Sequence, residues 1–210
     1  MSVWAIVVAA GAGARYGGAK QFERLGASTV LDRSVATACA ACDGVVVVLA
    51  AGAAWTPPAG VACVPGGATR SDSVRAGLAA VPDDADVVVV HDAARPLASE
   101  ALFRATIAAV RDGADGAVPG VAVADTVKRV ERDVVVETVP RDALVAVQTP
   151  QAFSAERLRA AHASGGVDTD DAALIEALGG RVVVVPGERA NIKITTADDL
   201  RVVRALGDDT

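Results

Sequence analysis

The chain carries a glycine-rich segment near its start, from Gly11 to Lys20, that suits phosphate chemistry. It is not the dinucleotide fingerprint, because Tyr16 stands where the third glycine is required, and it is not a P-loop, because Ala19-Lys20-Gln21 replaces the Lys-Ser/Thr ending. What remains is a flexible loop whose backbone N–H groups can approach phosphate oxygens, with Arg15 and Lys20 as cations. Taken alone, the segment is equally well read as a generic turn with two surface charges.

A second glycine turn, Gly66-Gly67, leads into a stretch with helical character that carries Arg70 and Ser73 near its beginning. The beginning of a helix offers free N–H groups, and nearby hydroxyls can hold a sugar or the edge of a pyrimidine. An ordinary capped helix explains the same residues equally well.

Asp92 follows a run of four valines and His91, where a buried strand would end. A carboxylate at that position is a natural Mg²⁺ ligand, since Mg²⁺ prefers one or two carboxylates together with substrate phosphates. The alternative is a helix cap or a salt bridge with Arg95. His91 is interpreted as a hydrogen-bonded structural histidine rather than an acid or base.

The elements that must position these residues alternate between strand and helix. Near-continuous apolar runs predict strands buried on both faces of a parallel sheet, at 3–9, 45–50, 87–91 and 182–185. Helical patterns lie at 30–41, 71–80, 100–111, 155–163, 170–178 and 197–206. Thr169 and Thr196 are expected to cap the last two helices. The prediction is an α/β fold with a doubly wound, mostly parallel twisted sheet flanked by helices.

One region breaks this alternation. From about 121 to 147 the sequence shows three short apolar segments with polar or proline breaks and no helical pattern, at 123–129, 133–139 and 144–147. We expect an antiparallel hairpin or arm that protrudes from the sheet, within a single domain covering residues 1–210.

The composition of the chain argues against several classes of function. The net charge of −6 argues against a nucleic-acid binder or a protein of anionic membranes, so an anionic substrate would need a local basic pocket. Met1 to Ala10 contain no basic residue and the first apolar run is short, which predicts neither a signal peptide nor a membrane span and favours a cytoplasmic protein. Cys39 and Cys42 form a C-x-x-C without a second Cys or His pair, and we expect them to be small buried residues.

Taken together, these segments resemble the 2-C-methyl-D-erythritol 4-phosphate cytidylyltransferases of the non-mevalonate isoprenoid pathway. The resemblance runs nearly from end to end. It is carried by the following segments, in the family's order and spacing: Ala9-Ala10-Gly11, His91 to Pro96, Asp125-Thr126 with Lys128, Gln148 to Gln151, and Asn191-Ile192-Lys193.

The resemblance implies a Rossmann-like nucleotide-transferase fold with a β-arm that joins two subunits into a homodimer. It implies CTP and methylerythritol 4-phosphate as substrates and Mg²⁺ as the cofactor, held by Asp92. Arg15, Lys20, Arg141 and Lys193 would be catalytic, and Arg141 and Lys193 would also grip the acceptor phosphate. The cytidine side would be formed by Ala9, Ala10, Gly11, Ala12, Gly13, Gly67, Arg70, Ser73, Asp92 and Ala93. The sugar-phosphate side would add Arg95, Thr126, Thr149 and Thr169, with Thr126 and Arg141 reaching the partner subunit's site.

The chain departs from the family pattern in three places. The segment from Arg15 to Lys20 is shorter than in many relatives and has Ala19 where proline is common, Ala68 replaces an often acidic residue, and Asp171 stands where Glu is frequent. None of these removes a charged residue assigned to catalysis.

Three other functions stay open at this point. A cytidylyltransferase that uses ribitol 5-phosphate would share the CTP side and differ in the acceptor pocket. A regulatory nucleotide-binding module would bind CTP without releasing pyrophosphate. A dehydrogenase is remote because the dinucleotide fingerprint fails.

Overall fold

A computed structural model describes residues 1–163 and 170–207 of the chain. In these residues the strands are β1 (Val3–Ala9), β2 (Arg24–Leu25), β3 (Ser28–Thr29), β4 (Gly44–Leu49), β5 (Val61–Pro65), β6 (Val87–Asp92), β7 (Gly116–Ala122), β8 (Val127–Glu131), β9 (Val134–Val139), β10 (Val145–Val147), β11 (Gln151–Ser154) and β12 (Val182–Pro186). The helices are α1 (Val30–Ala41), α2 (Arg70–Ala80), α3 (Glu100–Arg111), α4 (Ala155–Ala163), α5 (Asp171–Ala177) and α6 (Ala197–Gly207), with short 3-10 turns at Lys20–Phe22 and Arg141–Ala143.

The main sheet has the strand order β10-β7-β11-β6-β1-β4-β5, and β12 also pairs with β7. β1 lies between β4 and β6 and is parallel to both, and β5 continues the parallel half beyond β4. β11 is antiparallel to β6 and β7, and β12 runs parallel to β7. The mostly parallel α/β sheet expected from the sequence is therefore confirmed.

The central strands are buried because helices cover both of their faces. On one face, Val7 and Val89 pack with Leu31 of α1 and Phe103 of α3. On the other, Ile6 packs with residues of α2, α4 and α5. Since most side chains of these two clusters are valine and alanine, the helices approach the sheet closely.

The β8–β9 hairpin forms a separate two-stranded sheet. Its turn holds Arg132 and Asp133 at positive φ, and the side chains of Val130, Val134, Val135 and Val136 are 43–63% exposed. After the hairpin the chain returns to the main sheet, because β10 pairs antiparallel with β7. We call residues 121–147 the arm. Its predicted second and third segments match β9 and β10, whereas the first lies a few residues later than expected.

All six helices of the described residues begin and end within one residue of the predicted limits. In the structure Asp170 caps α5, while Thr169, the predicted cap, lies outside the described residues. The strands β5, β7 and β11 were not predicted.

The expectation that the cysteines are buried is wrong for Cys39, which is exposed on α1, and Cys63 on the edge strand β5 is also exposed. Cys42 is partly buried, and that burial raises the pKa of its thiol to about 12. In the described part of the chain, no helix combines the length and apolarity that crossing a membrane requires.

Candidate active site

The loop after β1 folds back on itself. Gly13 has φ +66°, and its carbonyl accepts hydrogen bonds from the N–H groups of Tyr16 at 2.8 Å and Gly17 at 2.9 Å. A Cβ at position 13 would collide with the carbonyl of Gly18. The buried amide of Gln21 donates to the carbonyl of Ala9 at 3.0 Å, which ties the end of the loop to the end of β1. Glycine is therefore required at position 13 by both backbone angle and space.

Helix α2 begins beside this loop. Thr69 caps the helix in a reciprocal pair with Asp72, so the helix start is well defined. The hydroxyl of Ser73 accepts from the N–H of Gly67 at 3.3 Å. Farther along α2, a Cβ at Gly77 would lie 2.5 Å from Cγ2 of Ile6 on β1. The helix therefore packs on the sheet at close to its minimum distance, which brings Arg70 and Ser73 to the cleft.

Asp92 ends β6 and lies between two cations. Its Oδ2 is 2.6 Å from Nζ of Lys193, and its Oδ1 is 3.5 Å from Nε of Arg70. Burial alone would raise the pKa of Asp92, but the charges of Lys193 and Arg70 outweigh it and hold the pKa well below 3.8. Asp92 is therefore an ionised carboxylate at the floor of the cleft.

His91 and Thr149 lie behind Asp92. The Thr149 hydroxyl accepts from the N–H of Asp92 at 3.0 Å and lies 3.2 Å from Nδ1 of His91, whose Nε2 is 3.2 Å from the carbonyl of Arg95. Because a carbonyl only accepts, His91 Nε2 donates to it and Nδ1 accepts from Thr149. Burial lowers the pKa of His91 to about 4, so the ring is neutral at pH 7. This bears out the interpretation of His91 as a structural histidine.

Lys193 is held in place by a buried amide network. The Gln148 side chain donates to the carbonyl of Glu188 at 2.8 Å, and the Asn191 side chain donates to the carbonyl of Thr149 at 2.9 Å. The guanidinium of Arg95, itself buried, donates to the carbonyl of Asn191 at 2.8 Å. These bonds fix the segment before Lys193 against the end of β6.

These parts enclose one cleft of about 440 Å³. Of the described residues, four cations line it: Arg15, Lys20, Arg70 and Lys193. Burial, and then the like charges of Lys193 and Arg15, lower the pKa of Lys20. A cleft with converging cations around one buried carboxylate is suited to a polyanion such as a triphosphate.

Most of the residues proposed for the site are brought together in this cleft. Those that line it are Ala9, Ala10, Gly11, Ala12, Gly13, Arg15, Lys20, Gly67, Arg70, Ser73, Asp92, Ala93 and Lys193.

Of the remaining candidates, those that the structure describes do not line this cleft. Arg95 and Thr149 support it from behind, through the bonds described above. Thr126 and Arg141 lie exposed on the arm, where the Arg141 guanidinium donates to the carbonyl of Ala124. Thr169 lies outside the described residues.

Several residues of the site were not predicted from the sequence. Tyr16, Gln21 and Thr69 also line the cleft, and each is next to or within a motif that was singled out. His162 and Asp171 lie behind Arg70 and were missed as supporting residues. A buried His–Asp pair between two helices has no local signature, because the partners come together only in the folded chain.

The donor set at Asp92 fits Mg²⁺ only in part. Among the described residues, no group of three or more His, Cys, Asp or Glu side chains could enclose a metal ion. Of the carboxylates in the described part of the chain, only that of Asp92 lines the cleft. Because Mg²⁺ commonly takes one or two carboxylates and completes its shell with phosphate oxygens and water, the residues fit an ion that binds together with a triphosphate.

Comparison with known proteins gives consistent results. Residues 3–206 match the family model described as 2-C-methyl-D-erythritol 4-phosphate cytidylyltransferase. A protein of that name from Rhodococcus jostii is 46% identical over 214 residues, which cover 97% of this chain and 94% of the relative. The crystal structure of the enzyme of that name from Thermus thermophilus superposes with a TM-score of 0.87 at 37% identity, covering 99% of this chain and 100% of that one.

Some relatives are longer. The "Bifunctional enzyme IspD/IspF" of Clavibacter michiganensis is 45% identical over 218 residues, covering 96% of this chain but 53% of the relative. The chain thus spans about half the length of the bifunctional relatives it matches.

Proposed function

Because the chain belongs to the 2-C-methyl-D-erythritol 4-phosphate cytidylyltransferase family, we propose that it transfers CMP from CTP to 2-C-methyl-D-erythritol 4-phosphate. The products are 4-diphosphocytidyl-2-C-methyl-D-erythritol and pyrophosphate, which makes the protein a nucleotidyltransferase of isoprenoid precursor biosynthesis. The observation that carries the proposal is the convergence of Arg15, Lys20 and Lys193 around Asp92 in one cleft.

The reaction needs charge neutralisation rather than a general base. A phosphate oxygen of the acceptor forms a bond to the α-phosphorus of CTP, and the bond from that phosphorus to the bridging oxygen of the leaving pyrophosphate breaks. The attacking oxygen is already ionised at neutral pH, so no proton has to be removed from it. The barrier comes from bringing two polyanions together and from charge that builds up as pyrophosphate leaves.

The cleft residues named above would have the following roles in this reaction. The loop 9–13 and the start of α2, with Gly67, Arg70 and Ser73, hold the nucleotide. Arg15 and Lys20 bind the triphosphate and stabilise the charge of the transition state. Asp92 would hold Mg²⁺, which when bound neutralises phosphate charge.

Lys193 lines the cleft, and its ammonium group lies 2.6 Å from Oδ2 of Asp92. On the acceptor side it grips the phosphate together with Arg141. Arg95, Thr126, Thr149 and Thr169 complete that side. We further propose that the chain is a single cytoplasmic domain of residues 1–210 with an arm at 121–147, and that it acts as a homodimer.

One assay tests the proposal. The protein is incubated with CTP, Mg²⁺ and methylerythritol 4-phosphate, and pyrophosphate release is followed. Release that requires all three supports the activity. The same assay with ribitol 5-phosphate identifies the acceptor, since faster turnover on that substrate would overturn the acceptor assignment. CTP binding without pyrophosphate release would instead indicate a regulatory module.

A further inference from the structure

The guanidinium group of Arg70 lies between two carboxylates. Arg70 is the first residue of α2, and its NH1 atom is 2.6 Å from Oδ2 of Asp171, whereas its Nε is 3.5 Å from Oδ1 of Asp92. The first distance is that of a short charge-assisted hydrogen bond, and the second is at the limit of one. Asp171 therefore sets the orientation of the guanidinium more strongly than Asp92 does.

Asp171 does not itself line the cleft in which the nucleotide would bind. It is the first residue of α5, its side chain is 1% exposed, and it is not among the residues that line the cleft. Its second oxygen, Oδ1, is 3.0 Å from Nε2 of His162 on α4. Arg70, which contacts Asp171 and lines the cleft, connects the two.

His162 holds the far side of Asp171. An ionised carboxylate only accepts hydrogen bonds, so Nε2 of His162 carries the hydrogen and donates it. The other ring nitrogen, Nδ1, is buried and has no hydrogen-bond partner among the described residues. A buried N–H without an acceptor would be costly, so the neutral tautomer with hydrogen on Nε2 is favoured.

The charges of Arg70 and Asp171 offset each other. Arg70 contributes one positive charge and Asp171 one negative charge. Arg70 thus adds little net charge to the cleft beyond that of Arg15, Lys20 and Lys193. Its contribution is a guanidinium fixed in direction, and a fixed donor loses less conformational entropy when it binds a ligand than a mobile one does.

Taking these contacts together, we infer that Asp171, supported by His162, is a positioning residue that orients Arg70 toward the nucleotide in the cleft. The inference rests on the proposed function, in which Arg70 contacts CTP. The alternative is that the three residues only join α2, α4 and α5. Both roles predict lower stability when Asp171 is changed, so the test has to measure nucleotide binding and its dependence on Arg70.

The central experiment is a double-mutant cycle of Asp171→Asn and Arg70→Ala, read by calorimetric titration of CTP with Mg²⁺ and no acceptor. Asparagine keeps the size of the side chain and removes its charge. We expect Asp171→Asn alone to weaken CTP binding about tenfold, the effect of losing a hydrogen bond between charged groups. In the Arg70→Ala background the same change should weaken binding by less than about twofold, because the residue it acts through is gone. Asp171→Glu, which keeps the charge, should restore most of the affinity.

Two sets of variants separate positioning from stability. Val110→Ala, a change of a buried side chain on α3, should lower the midpoint of thermal unfolding and leave CTP affinity unchanged. His162→Gln keeps an N–H donor for Asp171 and should bind CTP nearly as tightly as the unaltered chain, whereas His162→Leu should bind it more weakly. If Asp171→Asn fails to fold, the His162 pair makes the same comparison with the Arg70–Asp171 bond intact.

The outcomes are distinct. Wild-type affinity in Asp171→Asn, or an equal loss in both Arg70 backgrounds, would overturn the inference while pyrophosphate release by the unaltered chain still supported the proposed function. Absence of pyrophosphate release would overturn the proposed function, and the binding titrations would still decide whether Asp171 acts through Arg70. Equal affinity of His162→Gln and His162→Leu would remove His162 from the inference.

Discussion

At the scale of single residues, Lys193 is assigned two partners, Asp92 and the acceptor phosphate. Its ammonium group pairs with Asp92 at 2.6 Å, and in the proposed reaction it also binds the acceptor phosphate. We predict that Lys193→Ala lowers kcat and raises the KM for methylerythritol 4-phosphate, because both the ground state and the transition state lose a cation. Steady-state kinetics at saturating CTP will measure both constants. An unchanged profile for the acceptor would contradict the assignment.

We assign Lys20 chiefly to turnover, that is, to kcat rather than to the KM for CTP. If it stabilises charge that develops only in the transition state, Lys20→Ala should reduce kcat by the equivalent of about 2–4 kcal/mol and change the KM for CTP less. The control is Arg201→Ala, which removes an exposed cation on α6. Single-turnover measurements of pyrophosphate release will separate the chemical step from product release. A Lys20→Ala variant with normal kcat would remove Lys20 from the catalytic role.

The environment of Lys20 also predicts a pH dependence. Burial, and then the neighbouring charges of Lys193 and Arg15, lower the pKa of Lys20 below its ordinary value of 10.5. Raising the pH therefore removes the proton from Lys20 sooner than from an exposed lysine, and kcat/KM for CTP should fall on the alkaline side below pH 10.5. Lys20→Arg keeps its charge to higher pH, so the alkaline limb should move upward. If kcat/KM for CTP falls at the same alkaline pH in both proteins, the group that titrates is not Lys20.

At the scale of elements, hydrogen bonds at the start of α6 hold the end of the segment that carries Lys193. Asp199 accepts from the N–H groups of Thr195 at 2.8 Å and Thr196 at 2.7 Å, while its own N–H donates to the Thr196 hydroxyl. This is a capping box. We predict that Asp199→Ala lowers the free energy of unfolding by about 1 kcal/mol, the usual cost of a lost cap. Asp198→Ala, which removes an exposed ion pair with Arg201, should cost much less.

The same cap gives a prediction at low pH. Hydrogen bonds from Thr195, against a smaller opposing effect of burial, lower the pKa of Asp199 from 3.8 to about 2. A carboxyl group with a depressed pKa in the folded state stabilises the fold above its unfolded pKa and loses this contribution as the pH falls. The difference in unfolding free energy between wild type and Asp199→Ala should therefore shrink between about pH 4 and pH 2. Urea unfolding at several pH values will show whether it does.

The elements also show what local sequence can predict. α1, α3 and α4 have the predicted limits because their apolar periodicity and flanking polar residues agree. β7 was missed because it contains Gly116 and Pro119 and its pairing partners lie far away in sequence. The cleft residues on loops next to strand ends were predictable, since parallel strands bring their carboxyl ends to one edge. The Asp171–His162 contact was not, because it depends on how two helices pack.

At the scale of the whole molecule, the arm bears Thr126 and Arg141, neither of which lines the cleft of its own chain. If the arm completes the site of a second copy, two inactive variants should restore each other. Lys20→Ala and Arg141→Ala chains, mixed and allowed to exchange subunits, would form heterodimers with one site intact. Random mixing should give roughly a quarter of wild-type activity, since half of the dimers then have one working site of two.

Sedimentation of the mixture will show whether dimers are present. Activity no higher than the sum of the two separate variants, in a sample shown to exchange, would mean that each site is built from one chain. Val135→Asp, which places a charge on the exposed hairpin, should shift the protein toward monomers and lower its activity in parallel.

The close packing of α2 on β1 affects which mutations the protein can accept over evolutionary time. At position 77 a methyl group would lie 2.5 Å from Ile6 and 3.1 Å from Val48, an overlap that typically costs about 1–3 kcal/mol. A side chain at position 77 is therefore tolerated better in a chain in which residue 6 has already lost its Cγ2 branch, as in Ile6→Leu. The order of the two changes matters, because the Ile6→Leu intermediate keeps the core volume whereas the reverse intermediate overpacks α2, the helix of Arg70 and Ser73, against β1. Among descendants of this sequence, residue 6 should change before residue 77.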